Sequence, residues 1–190
     1  MSLQQPEWEK MCEDYWKWFY STPRAAHPAL ANTGKFVSTG QNNPKLFFIP
    51  GAVDRKKDIV KEHTIQAQGK RIFMPVFFCV FVDSELPKGS DLVRAANKDI
   101  DATRSIKFDT SDNIIVEDVR RVKVPELFEV DVSNPPIFEN IRPGKQKAAS
   151  DGYWLLTKPL DAGHHNISTS GETKEDNEFY GGVKYNLEVI

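Results

Sequence analysis

The sequence is short of cysteine, of net charge and of long apolar runs, and each shortage excludes something. Its two cysteines, Cys12 and Cys79, lie far apart in the chain. They form no disulfide framework, and whether they pair with each other is left open. There is no C-x-x-C, H-E-x-x-H, P-loop, G-x-G-x-x-G or G-x-S-x-G pattern, so metal, phosphate, dinucleotide and acyl-transfer chemistry have no local signature. Nothing in the motifs calls for a cofactor. The formal net charge is −2, which gives no general electrostatic pull towards nucleic acid or an anionic membrane. The longest apolar run, Ile72 to Val82, is far short of the roughly 20 residues a membrane helix needs. No signal peptide or lipidation motif is visible, which points to the cytoplasm unless a leader has been removed ahead of Met1.

What is present is an ordinary globular composition, 39% hydrophobic and 27% charged over 190 residues, and residues 1–190 read as a single domain. The chain is organised around Lys70 to Asp83. Its Val- and Phe-rich run favours a strand apolar on both faces, hence central in a layered core. Pro75 cannot donate to a ladder, so a kink or bulge is expected there, with full pairing over Val76 to Val82. Cys79, inside this run, reads as a buried, inert thiol.

Gln5 to Tyr20 is the clearest helix, started by Pro6 and ended before Pro23. At about 100° per residue, Trp8, Met11, Cys12, Tyr15, Trp16, Trp18 and Phe19 share one stripe. That stripe docks on the sheet, or alternatively forms an aromatic platform for a sugar ring or partner, with Trp154 added to it. Residues 24–43 read as irregular, with a short edge strand at Lys35 to Ser38. Lys45 to Ile49 is a strand, Asp54 to Lys61 a charged surface loop, and His63 to Gln68 a strand. A second helix runs from Asp91 to Ser105, capped by Ser90 or Asp91. Strands follow at Asn113 to Val116, at Val119 to Val124 and at Phe128 to Val132. The last alternates with Glu129 and Asp131, and its charges would suit a cross-strand partner among Arg120, Arg121 and Lys123. Ser133 to Ser150 reads as a long loop carrying Arg142, Lys145 and Lys147, a candidate anion site. Tyr153 to Leu160, His164 to Ser170 and Tyr180 to Ile190 read as an antiparallel meander, with a polar loop at residues 171–177. The sum is a mainly β chain, a β-sandwich or jelly-roll-like fold with two packed helices; the alternative is an α+β domain with one antiparallel sheet.

Two stretches, Gly69-Lys70-Arg71-Ile72-Phe73-Met74-Pro75-Val76 and Asp151-Gly152-Tyr153-Trp154 followed by Pro159-Leu160 and Gly163-His164, resemble segments of an uncharacterised family of microbial, often secreted, β-rich single-domain proteins. The resemblance implies a secreted or envelope setting and carries no activity and no catalytic residues.

The candidate chemistry is correspondingly thin. His164 and His165 are adjacent, and strand neighbours point to opposite faces, so together they would not chelate one ion. One of them could join His63 or His27 in a metal site. Asp151 could orient a substrate or cap the turn into its strand. Two functional readings follow. The first is a non-catalytic binding or assembly module that takes a small molecule, glycan or protein on its aromatic or loop surfaces, with a homo-oligomer as one form of assembly. The second is a hydrolase- or isomerase-like enzyme with His164 or His165 and Asp151, and Arg142 or His63, gathered at one end of the sandwich.

Overall fold

The computed structural model describes residues 3–30, 36–51, 59–173 and 179–190. Helix α1 (Gln5–Ser21) starts where the Glu7 carboxylate accepts the Gln4 N–H at 2.7 Å, with proline in its first turn. It ends where the Thr22 N–H and hydroxyl both turn back to the Trp18 carbonyl, just before Pro23, closing the last turn without a glycine. Strands β1 (Leu46–Phe48), β3 (Arg71–Val82), β7 (Gly144–Pro159) and β5 (Val116–Lys123) form one sheet in that order, and β6 (Phe128–Val132) pairs the other half of β7. Strands β2 (Ile59–Ile65), β9 (Phe179–Val189), β8 (Gly163–Thr173) and β4 (Thr103–Thr110) form a second sheet. Helix α2 (Leu92–Asp101) lies against β3 and β7.

The result is layered: α1, the five-stranded sheet, then the four-stranded sheet. Alternation along β3 explains why its apolar run has no polar face. Phe73, Phe78, Val80 and Val82 face the α1 layer, while Ile72, Met74 and Val76 face the second sheet. The register of β3 on β7 shifts between Pro75 and Phe77, the bulge that a missing proline N–H predicts. The α1 layer is an aromatic cluster: Tyr15 meets Trp16, Trp18, Phe19, Phe48, Phe73 and Trp154, and Trp154 stacks on Phe73 at 4.9 Å. Burying such rings is the largest apolar contribution single side chains can make.

Several expectations change. The chain is a two-sheet sandwich with two helices, so the single antiparallel sheet does not hold, and two pairings, β1 with β3 and β2 with β9, are parallel. The expected meander is split, because Tyr153 to Leu160 belongs to the first sheet and β8 and β9 to the second. The second helix stops at Asp101 and a strand, β4, follows at once; Ile106 and Phe108 alternate in the strand period rather than the helical one. Residues 113–115 precede β5 rather than forming a strand. Strands β5 and β6 do not pair each other; both pair β7, where Glu129 opposes Lys147 and Asp131 opposes Lys145. The long loop spans residues 133–143 rather than 133–150, since β7 begins at Gly144. Its Ala148, Ala149, Ser150, Asp151 and Gly152 carry no hydrophobic signal, yet the small residues allow close approach. A Cβ on Gly152 would meet the Phe77 carbonyl oxygen at 2.8 Å. Phe36 to Gly40 form turns rather than an edge strand. Lys35, most of the charged stretch at Asp54 and the heart of the loop at 171–177 lie outside the described residues.

Candidate functional site

The aromatic platform is overturned by burial. Trp8, Trp16 and Trp154 are 0% exposed and Trp18 is 6% exposed. Trp16 donates to the Ser150 hydroxyl at 2.8 Å and Trp18 to the Thr39 carbonyl at 2.8 Å. The helix face docks on the sheet and presents no ring to a ligand.

The basic loop also dissolves. Lys145 and Lys147 sit on β7 opposite acidic residues of β6, and Lys145 reaches Glu129 at 3.3 Å. Arg142 lies 3.8 Å from Asp83. Each cation has an acidic neighbour, so no concentrated positive site remains for an anion. Asp151 is neither a turn cap nor a loop carboxylate. It is fully buried in the middle of β7, where Arg121 donates to both its oxygens, one at 3.0 Å and one at 2.5 Å, and also reaches Asp101 of α2 at 2.7 Å. Those hydrogen bonds, from Asp151 first, raise the Arg121 pKa. A carboxylate occupied on both oxygens by a guanidinium is tied into the framework.

The histidines separate by strand alternation. His63 and His165 both oppose Leu187 and face the interior, while His164 faces solvent with Glu188 as its cross-strand partner. His165 Nε2 meets the Asp161 carbonyl at 2.9 Å. Among the described residues no three His, Cys, Asp or Glu side chains are placed to hold a metal ion, so His63, His164 and His165 are not brought together as a ligand set. The catalytic set is not assembled either, because Asp151 and the histidines belong to different sheets. Cys12 and Cys79 are both buried and are not joined in a disulfide.

What the fold does assemble is an open groove of about 630 Å³ on the outer face of the second sheet. Two neighbouring cross-strand rows line it: Glu62, Asn186 and Asn166, then Thr64, Glu188 and His164. Cross-strand pairing puts directly opposed residues on one face, so six polar side chains converge. The Thr64 hydroxyl donates to Glu188 at 3.1 Å. The turn after β4 holds one end, with Ser111 and Asn113 bonded to the β8 backbone. A second shallow groove, beside α2, mixes Arg94, Lys98 and Lys123 with Asp91 and Asp101, and its charges offset one another.

A buried basic seam has no signal in the sequence. Lys61, assigned to a surface loop, lies within β2 and is 1% exposed. Its ammonium donates to the Ala29 carbonyl at 2.7 Å and the Pro28 carbonyl at 3.3 Å, and burial lowers its pKa to about 8. His63, two residues on and therefore on the same face, stacks on Tyr185 with centroids 5.5 Å apart. Neither of its ring nitrogens has a hydrogen-bond partner among the described residues. The period-two alternation of Lys61, His63 and Ile65 was readable, but nothing in it said which face is inside.

The chain matches no protein-family model and no curated protein. Among solved structures it is similar to the one described as "Structure of PbICP-C in complex with falcipain-2", at 8% identity and a TM-score of 0.30 over 77% of this chain and 99% of that one. It is also similar to "Solution Structure of Amebosin", at 12% identity and a TM-score of 0.24 over 77% of this chain and 100% of the other. Both scores are too low for either structure to inform the fold or the sites of this chain.

Proposed function

We propose that the chain is a non-catalytic binding module that takes a hydroxyl-rich ligand of the glycan class in the groove on the outer face of the second sheet. The observation that carries this reading is the convergence of Glu62, Asn186, Asn166, Thr64, Glu188 and His164 in two adjacent rows. Carboxylates accept, hydroxyls and amides both donate and accept, and a sugar hydroxyl needs one of each. The groove's volume lies in the range of small-ligand sites, but its exposed side chains are polar and the His164 imidazole is the one ring they offer. The affinity is therefore weak, on the order of millimolar. The hydrolase- or isomerase-like alternative draws no support from its own residues: Asp151 is engaged by Arg121, His165 faces inward and His164 faces out.

Backbone amide NMR titration with a panel of soluble oligosaccharides tests the reading. Saturable shifts are expected at the groove residues of β2, β8 and β9. The double substitution Asn166→Ala and Asn186→Ala should weaken binding at least about tenfold, the equivalent of one to two hydrogen bonds. If every sugar leaves the groove amides unmoved, the reading is wrong.

A further inference from the structure

The segment between α1 and β1 is pinned at one buried histidine. After the 3-10 turn Arg24–Ala26, His27 is 1% exposed and packs edge-on against Phe19 at 4.5 Å. Its Nε2 lies 2.8 Å from the Phe19 carbonyl, and its Nδ1 accepts the Ala29 N–H at 3.1 Å. A carbonyl can only accept and a backbone N–H can only donate, so the two contacts fix the neutral tautomer with the proton on Nε2. One residue along, the Pro28 and Ala29 carbonyls hold the buried ammonium of Lys61 on β2.

The geometry points to an acid-sensitive latch: His27 holds residues 24–30 against α1 and β2 while its ring is neutral, and releases them when the ring is protonated. Protonation would put an N–H on Nδ1 aimed at the Ala29 N–H, turning a hydrogen bond into a donor facing a donor. It would also place a second cation beside Lys61. Among the described residues no carboxylate offsets that charge. The groups turned to this seam are Lys61 and His63 from β2, Tyr185 from β9, and the Phe19 carbonyl from α1. Arg24, on the segment itself, is engaged outward by Glu139 at 3.3 Å. None of the carboxylates among the described residues bonds His27, Lys61 or His63. Burial and the Lys61 charge both hold His27 neutral down to about pH 4, and His63 shifts the same way.

Amide hydrogen exchange on the full chain, corrected for the intrinsic effect of pH, tests the latch alongside NMR titration of the imidazole nitrogens. Between pH 7 and about 4 the Ala29 and Leu30 amides, bonded to the His27 ring and carbonyl respectively, should lose at least about tenfold of their protection. Amides of β7 should keep theirs, and the loss should begin near 6.5, where a released imidazole protonates, and level off near the titration of the held His27 ring at about 4. His27→Gln, which offers a donor and an acceptor but no titration, should make the protection independent of pH. Lys61→Met removes the opposing charge and should move the transition to higher pH. The proposal is overturned if Ala29 and Leu30 open only together with β7, or if His27→Gln keeps the acid-dependent loss. A Lys61→Met variant that loosens the segment equally at every pH also overturns it, by assigning Lys61 a purely structural role.

Discussion

At the scale of single residues, the unusual investment is in buried basic side chains that have no carboxylate partner among the described residues. His27 and His63 each titrate at about 4 in the folded chain against an ordinary 6.5. The unfolded chain therefore takes up protons first as pH falls. Their contribution to stability is complete above about 6.5, declines as pH drops towards 4, and is level below that. Lys61, lowered from 10.5 to about 8, acts at the other end: stability should rise as pH climbs from about 8 to 10.5. Urea unfolding across this range checks both limbs, and a His27→Gln, His63→Leu double variant should lose the acid slope. An acid slope unchanged in that variant would mean that the carboxylates alone set it. None of this was legible beforehand. Lys61 stands after a run of charges in Asp54 to Lys61 and reads as solvent-facing. Its burial is decided by β2 pairing with β9, whose residues lie more than a hundred positions later. The place of Asp151 is illegible for a related reason: its partner Arg121 sits on a neighbouring strand, invisible to local pattern.

At the scale of elements, α2 is held to the sheet by the chain of Asp101, Arg121 and Asp151, with Cys79 of β3 donating to Asp99 at 3.3 Å. Removing one partner of a buried pair leaves a desolvated charge behind. Asp151→Ala should cost about 3 kcal/mol, the low end of the usual range because Arg121 is about a third exposed and water can partly solvate it. Thermal melts should show the loss, and exchange at α2 amides should rise before that of α1. A loss under about 1 kcal/mol, with α2 unaffected, would show that the pair does not anchor the helix. The elements legible in sequence were those whose apolar residues repeat with a period. These were α1 with its aromatic stripe, β3 with its unbroken run and β6 with its clean alternation. The first half of β7 was illegible because it is built from polar and small residues, and β4 because a single residue separates it from α2. The groove was legible only as isolated letters. His164 was singled out, but Glu62, Thr64, Asn166, Asn186 and Glu188 become neighbours through the β2–β9–β8 register alone.

At the scale of the whole molecule, one sheet serves two cores, with the α1 aromatics on one face and the second sheet on the other. Both cysteines end up inside this body, and burial pushes the Cys12 thiol well up. Native protein should therefore react with a thiol reagent at pH 8 at least about a hundredfold more slowly than urea-unfolded protein, which should titrate two thiols. A fast-reacting thiol in the native state would mean that one of these layers opens readily. Among the described residues no helix is long and apolar enough to cross a membrane. The layering also has a consequence for synthesis. Strand β3 ends at Val82, but β7, which flanks it, starts at Gly144, and β9, interior to the covering sheet, ends at Val189. At about 5–20 residues per second, a nascent chain carries its most apolar strand for roughly ten seconds before both covers exist. On a crowded ribosome that interval calls for a chaperone able to shield a Phe- and Val-rich segment, and the stickiness of the unfinished chain, more than the stability of the finished one, would limit its yield in a cell.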